Sequence, residues 1–93
     1  MVEDAVTMLN AKLGGRGLDG IARFVLEGEG SILVDEGGAR AGDGDADVTL
    51  TASPETFRAI MTGDTSATGA YMAGLLRLDG DMGLAMRLGS LLA

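Results

Sequence analysis

Cysteine, histidine and tryptophan are all missing from this 93-residue chain, and each absence removes a class of chemistry. Without cysteine there is no disulfide framework and no thiolate nucleophile. Without histidine the commonest general base is gone, and with both gone the usual transition-metal ligands go too. Positive charge is scarce: seven basic residues stand against 14 acidic ones, a net charge of −7. That balance repels phosphate backbones and anionic membrane surfaces. Lys12, Arg16, Arg23, Arg40, Arg58, Arg77 and Arg87 are scattered, so no polybasic cluster offsets it. Nucleic acid is therefore not an expected partner, and membrane contact is expected to be transient at most. No run approaches the ~20 apolar residues of a membrane span. The start Met1-Val2-Glu3-Asp4 lacks the basic region of a signal peptide, and the end Leu91-Leu92-Ala93 is not a Ser-Lys-Leu peroxisomal address. The expected location is the cytoplasm.

What is present suits one folded domain over residues 1–93. Apolar residues make up 46% of the chain and charged ones 23%, which argues against disorder. A chain of this length buries roughly two thirds of its unfolded surface, enough for one core.

Val2, Ala5, Val6, Leu9 and Leu13 fall on one helical face, with Glu3 and Asp4 at the positive end of the dipole and Gly14-Gly15 as the stop. Ile21–Glu27 alternates as a strand, and Ser31–Asp35 is its hairpin partner after Gly28-Glu29-Gly30. Ala39–Gly42 is a weaker third strand. Val48–Ala52 is a clearer fourth, its Val48, Leu50 and Ala52 opposed to Thr49 and Thr51. Short turns between these four predict an antiparallel meander.

Ser53-Pro54-Glu55 is a helix start, and Phe57, Ile60 and Met61 form that helix's buried stripe before Gly63 ends it. Asp64–Ser66 caps a second short helix through Met72, which Gly74 breaks. Leu75–Asp79 is a fifth strand, and Asp81 caps a last helix running to about Leu92. The expected class is α+β: a five-stranded, mostly antiparallel sheet with helices covering one face.

The motif-like strings in the chain fail on context. Gly15-Arg16-Gly17-Leu18-Asp19-Gly20 matches G-x-G-x-x-G, yet it leaves a helix and enters a strand, the reverse of a dinucleotide cradle. Asp43, Asp45 and Asp47 imitate a calcium loop, but its glycine position is Val48 and its closing acid position is Pro54. The serines Ser31, Ser53, Ser66 and Ser90 lie in no Gly-x-Ser-x-Gly elbow, and Ser53 and Ser66 serve as caps. The paired carboxylates Asp35-Glu36 and Asp79/Asp81 sit at turns. No catalytic residue, metal site or cofactor is expected, and the chain is not expected to be an enzyme.

The last helix carries Met82, Ala85, Met86 and Gly89 in one stripe and Leu84, Leu88, Leu91 and Leu92 in an adjacent one. Together they span roughly 220° of the circumference, wider than one sheet contact covers. A second apolar surface must meet this helix: more core, a ligand, or another protein. Six methionines and 16 glycines beside only two phenylalanines and one tyrosine supply flexible filler and few rigid groups, as in surfaces that adapt to varied ligands.

The run from Ala70-Tyr71-Met72-Ala73-Gly74-Leu75-Leu76-Arg77-Leu78 into Asp79-Gly80-Asp81-Met82-Gly83-Leu84-Ala85-Met86-Arg87-Leu88 resembles the closing signature of the sterol carrier protein 2 (SCP-2) domain family. Asp47-Val48-Thr49-Leu50-Thr51 and Phe57 through Gly63 resemble that family's Asp-Val-Thr strand and the helix after it. The likeness extends over roughly Phe24 to Leu92. One departure is Leu75, where many relatives have a basic residue.

The resemblance implies an SCP-2-like fold with an apolar tunnel between sheet and helices. It implies non-enzymatic binding and intracellular transfer of a lipid: a fatty acid, fatty acyl-CoA, phospholipid or sterol. The implied lipid-binding residues are Phe57, Ile60 and Met61, then Tyr71 and Met72, Leu76, and Met82, Ala85 and Met86. The Tyr71 hydroxyl would meet a polar head at the mouth. The alternative is a protein-interaction module, such as a homodimer, built on the apolar last helix.

Overall fold

The first helix, α1 (Val2–Leu13), forms where the sequence spacing predicts it and buries Ala5, Leu9 and Leu13. The computed structural model describes residues 2–92. Gly14 and Gly15 end α1 in the left-handed region, with φ of 60° and 84°. Arg16 then folds back: its Nε donates to the Leu13 carbonyl at 2.8 Å, and one Nη donates to the carbonyls of Lys12 at 3.2 Å and Leu91 at 2.9 Å. One guanidinium thus satisfies carbonyls at the ends of the first and last helices, which helix geometry leaves without intrahelical partners.

The strands are β1 (Ala22–Leu26), β2 (Gly30–Asp35), β3 (Gly38–Ala41), β4 (Val48–Ala52) and β5 (Leu76–Gly80). Three further helices follow β3 in the chain: α2 (Pro54–Thr62), α3 (Ala67–Met72) and α4 (Met82–Leu92). Their caps are those the sequence marks. Ser53 Oγ accepts from Thr56 N at 3.1 Å, Ser66 Oγ from Gly69 N at 2.9 Å, and Asp81 Oδ1 from Leu84 N at 3.1 Å. Among the described residues no helix is long and apolar enough to cross a membrane.

Sheet order is β3-β2-β1-β4-β5, and here the meander expectation needs correction. β1, β2 and β3 do form a meander, but β4 lies parallel to β1, in register from Ala22↔Val48 to Leu26↔Ala52. The other three pairings are antiparallel. The reason is the loop over residues 42–47, which crosses the sheet instead of turning back on β3.

Arg23 holds that crossing: its Nη1 donates to Asp43 Oδ1 at 3.0 Å and its Nη2 to Thr49 Oγ1 at 3.2 Å. Ile21 N donates to Asp47 Oδ2 at 2.9 Å, and Asp47 N returns a bond to the Ile21 carbonyl at 2.8 Å. A Cβ on Gly42 or Gly44 would lie 3.7 or 3.9 Å from a Leu33 methyl, so the loop runs over the Arg23/Leu33 face. Asp43 and Asp47 thus anchor the connection.

Alternation divides the two faces. Ala22, Phe24, Leu26, Ile32, Val34, Val48, Leu50, Ala52 and Leu76 are buried on the helix-covered side, while Arg23, Val25, Leu33, Thr49 and Thr51 are partly exposed on the other. The architecture is the expected α+β sheet, mostly antiparallel, with helices over one face.

Candidate functional site

α4 is apolar over more than half its circumference but has too little protein to cover it. Leu84, Ala85, Leu88 and Leu92 are buried, whereas Met82 is 42% and Met86 73% exposed. These two methionines lean over a gap that α4 shares with α3 and β5. The gap is a cavity of about 330 Å³, within the range of small-molecule pockets.

Phe24, Leu50, Leu76 and Leu78 give it a floor on the sheet, α3 contributes Ala67, Thr68, Tyr71 and Met72, and α4 contributes Met82, Ala85, Met86, Leu88, Gly89 and Leu92. Ile60 of α2 completes the wall. Met72 and Tyr71, 80% and 46% exposed, form the rim with Met86.

Among the described residues no carboxylate, amine or guanidinium side chain lies on this wall; its side-chain hydroxyls are those of Thr68 and Tyr71. Such a surface favours apolar burial and offers no paired acid and base. The carboxylates held below the usual range lie on other parts of the molecule. Asp35 is lowered first by a hydrogen bond from Arg40 and then by the Gly37 amide, and Asp43 first by Arg23 and then by the Gly44 amide.

Of the nine residues singled out in the sequence, the cavity brings together Ile60, Tyr71, Met72, Leu76, Met82, Ala85 and Met86. Phe57 and Met61 are not on its wall. Both are buried in the packed core, and Phe57 stacks edge-on against Phe24 with ring centroids 5.4 Å apart, one layer behind the floor. α2 presents its stripe to the core because its length is packed from several sides, and only Ile60 at the stripe's edge reaches the gap.

The sheet floor, Phe24 and Leu50, was absent from the expected set although alternation puts both on the covered face. Gly89 was visible in the α4 stripe. Ala67 and Thr68 carry no sequence signal, since α3 is too short for periodicity to speak.

A second cavity of about 430 Å³ adjoins the first. Ile60, Ala67, Thr68, Gly89 and Leu92 border both. Its remaining wall is more polar, with Lys12, Thr65, Ser66 and Ser90 beside Gly63.

Comparison with known proteins agrees with this fold. The model of the SCP-2 sterol transfer family matches residues 10–93. Peroxisomal multifunctional enzyme A of Dictyostelium discoideum is 36% identical over 89 residues, covering 96% of this chain but 19% of that protein. The chain thus spans about a fifth of the length of this curated relative. Among solved structures, sterol carrier protein 2 like 2 from Aedes aegypti superimposes with a TM-score of 0.80 at 25% identity, covering 96% of this chain and 94% of that one. A solution structure of the palmitated form from the same organism gives 0.78 at 24% identity over 98% and 93%, a likeness of fold. Sheet, covering helices and the match over residues 10–93 agree: the chain belongs to the SCP-2 sterol transfer family.

Proposed function

We propose that this chain is a non-enzymatic lipid-binding and transfer domain acting in the cytoplasm, and that the cavity between α3, α4 and β5 takes the apolar part of its ligand. The observation that carries the reading is a wall whose described residues include no charged side chain, opening at a rim of exposed Met72, Met82 and Met86. The ligand belongs to the class of fatty acids, fatty acyl-CoA, phospholipids and sterols. A flexible acyl chain is the first choice, because unbranched methionine side chains adapt to it and because a relative of the same fold is known in palmitated form.

Each buried methylene contributes about 0.8 kcal/mol before ordering costs, and burial carries a negative heat-capacity change. The ligand leaves by displacement of α4, whose Met82 and Met86 side chains rim the cavity. Tyr71 places its hydroxyl at the rim, where a polar head group would meet it. Native mass spectrometry of the purified chain and displacement of a fluorescent fatty acid test this. Bound lipid and saturable displacement are expected; neither, at micromolar protein, contradicts the reading.

A second reading has its own observation. Met72, Leu75, Met82 and Met86 are all exposed, and a protein partner or second copy would also cover them. Sedimentation separates the two. A monomeric parent whose Met86→Asp variant loses lipid supports the carrier, whereas a dimeric parent that Met86→Asp dissociates supports the interaction module.

A further inference from the structure

Apart from Ile21, the large apolar side chains exposed among the described residues are Tyr71, Met72, Leu75, Met82 and Met86. Four of these five line the first cavity. The exception is Leu75, 56% exposed on the turn that leads from α3 into β5. It lies on the wall of neither cavity and is not part of the packed core.

The backbone of this turn is closed on itself. Gly74 takes a φ of 78°, and the amides of Ala73, Gly74 and Leu75 donate to the carbonyls of Gly69 at 3.0 Å, Tyr71 at 3.1 Å and Ala70 at 2.9 Å. This is the Schellman ending of a helix, in which a hydrophobic residue at the place of Leu75 packs back on the last turn. Here that place on the helix is Ala70, small and itself buried, and more than half of the leucine stays outside. Three successive amides satisfied internally do not need water, which removes one cost of entering an apolar phase.

Charge is distributed to match. Every acidic residue except Asp79 and Asp81 lies at or before Asp64. Segments 65–78 and 82–92, which carry the five exposed side chains, hold no acid, and their only charged groups are Arg77 and Arg87.

We propose that this face, with Leu75 at its tip, docks on a zwitterionic lipid membrane. The inference rests on the lipid-carrier reading and names the surface from which the ligand is taken. An acyl chain crossing water between membrane and cavity would expose its methylenes, each of which favours an apolar phase roughly fourfold. A mouth pressed against the membrane avoids that exposure, and the same contact covers the side chains that the fold leaves bare. A protein seated there would close the mouth instead of feeding it. The net charge of −7 disfavours an anionic surface, so the contact is shallow apolar insertion.

The chain has no tryptophan, so Leu75→Trp supplies a single reporter. On addition of phosphatidylcholine vesicles its emission should move to the blue and be quenched by brominated acyl chains. Glu36→Trp, in the exposed turn between β2 and β3 at the opposite edge of the sheet, should show neither effect. Leu75→Ser should weaken flotation with the vesicles about tenfold. Its displacement of a fluorescent fatty acid without vesicles should equal the parent's, because Leu75 is off the cavity wall.

If Leu75→Trp does not fold, flotation of the parent and of Leu75→Ser carries the test. A fatty-acid-binding parent that does not float, or equal spectral changes at Leu75→Trp and Glu36→Trp, overturns the docking face and leaves the carrier intact. A dimeric parent that Leu75→Ser dissociates assigns the face to a second copy and overturns the membrane. A parent that binds no fatty acid overturns the carrier reading and the proposal with it.

Discussion

α2 and α4 carry apolar stripes of similar composition and do opposite things with them. On α2, Phe57, Ile60 and Met61 are packed to 4% exposure or less. On α4, Met86 is 73% exposed while Leu88, half a turn on, is fully buried. Methionine is thus core filler at position 61 and cavity rim at position 86. The difference lies in what meets each helix: α2 is enclosed by α1, α3 and the aromatic contact with Phe24, whereas the first turns of α4 overhang the space that β5 and α3 leave open. A stripe of apolar residues predicts that something will cover it, and the rest of the fold decides whether that is protein.

Substitutions at the two ends of this comparison should separate stability from binding. The largest effect is expected at Phe57→Ala. Removing a fully buried ring costs about 3–5 kcal/mol, a large share of the about 5–15 kcal/mol that holds a small domain folded. Urea unfolding followed by circular dichroism checks it. A loss below about 1 kcal/mol would mean the α2 layer is not packed as described.

Met86→Asp should do the reverse. The side chain is largely in water, so stability stays within about 0.5 kcal/mol. A carboxylate at the rim must be desolvated when an acyl chain enters, so fatty acid binding falls about tenfold or more. Equal damage to binding and stability would erase the contrast between the two helices.

Arg16→Ala should cost about 1 kcal/mol, because the Leu91 carbonyl loses its guanidinium donor, while the Leu13 carbonyl keeps only the backbone N–H of residue 16. Since those bonds tie α1 to the end of α4, we expect faster hydrogen exchange in the last turn of α4, read by mass spectrometry. Unchanged exchange there would remove Arg16 from the account of α4 mobility.

Smallest is the pH effect. The carboxyls of Asp35 and Asp43 titrate lower folded than unfolded, through Arg40 and Arg23. Their contribution is present above the ordinary carboxylate value, roughly pH 3.9, and is lost as pH falls through their depressed folded values. Both pairs are solvent-accessible, so the loss is modest. Thermal unfolding across pH 2–6 should steepen at the acid end, and less so for Asp43→Asn.

Much of this architecture is legible in the sequence. α1 and β4 fall on the residues their periodicities mark, and Ser53, Ser66 and Asp81 are caps as read. Sheet order was not legible, because alternation assigns a face to each strand and says nothing about its neighbour. The parallel β1–β4 pairing depends on Arg23 and Ile21 gripping a loop that, as sequence, is only aspartate and glycine. Seven residues expected at the site do line the cavity, since the stripes of α3, β5 and α4 converge there. Phe57 and Met61 lie off the cavity wall for the reason the two helices teach: their stripe is identical in kind, and only tertiary enclosure sends it to the core. Thr68 and Ala67 gave no signal because small or polar residues on a six-residue helix have no apolar pattern to join.

The central claim is that an acyl chain lies against the rim methionines of α3 and α4, and methyl NMR of the chain with ¹³C-labelled methionine tests it most directly. Addition of palmitate should move the Met72, Met82 and Met86 methyl signals together and saturably, leaving Met8 and Met61 essentially in place. No shift at saturating palmitate, or shifts confined to Met8 and Met61, would contradict the account.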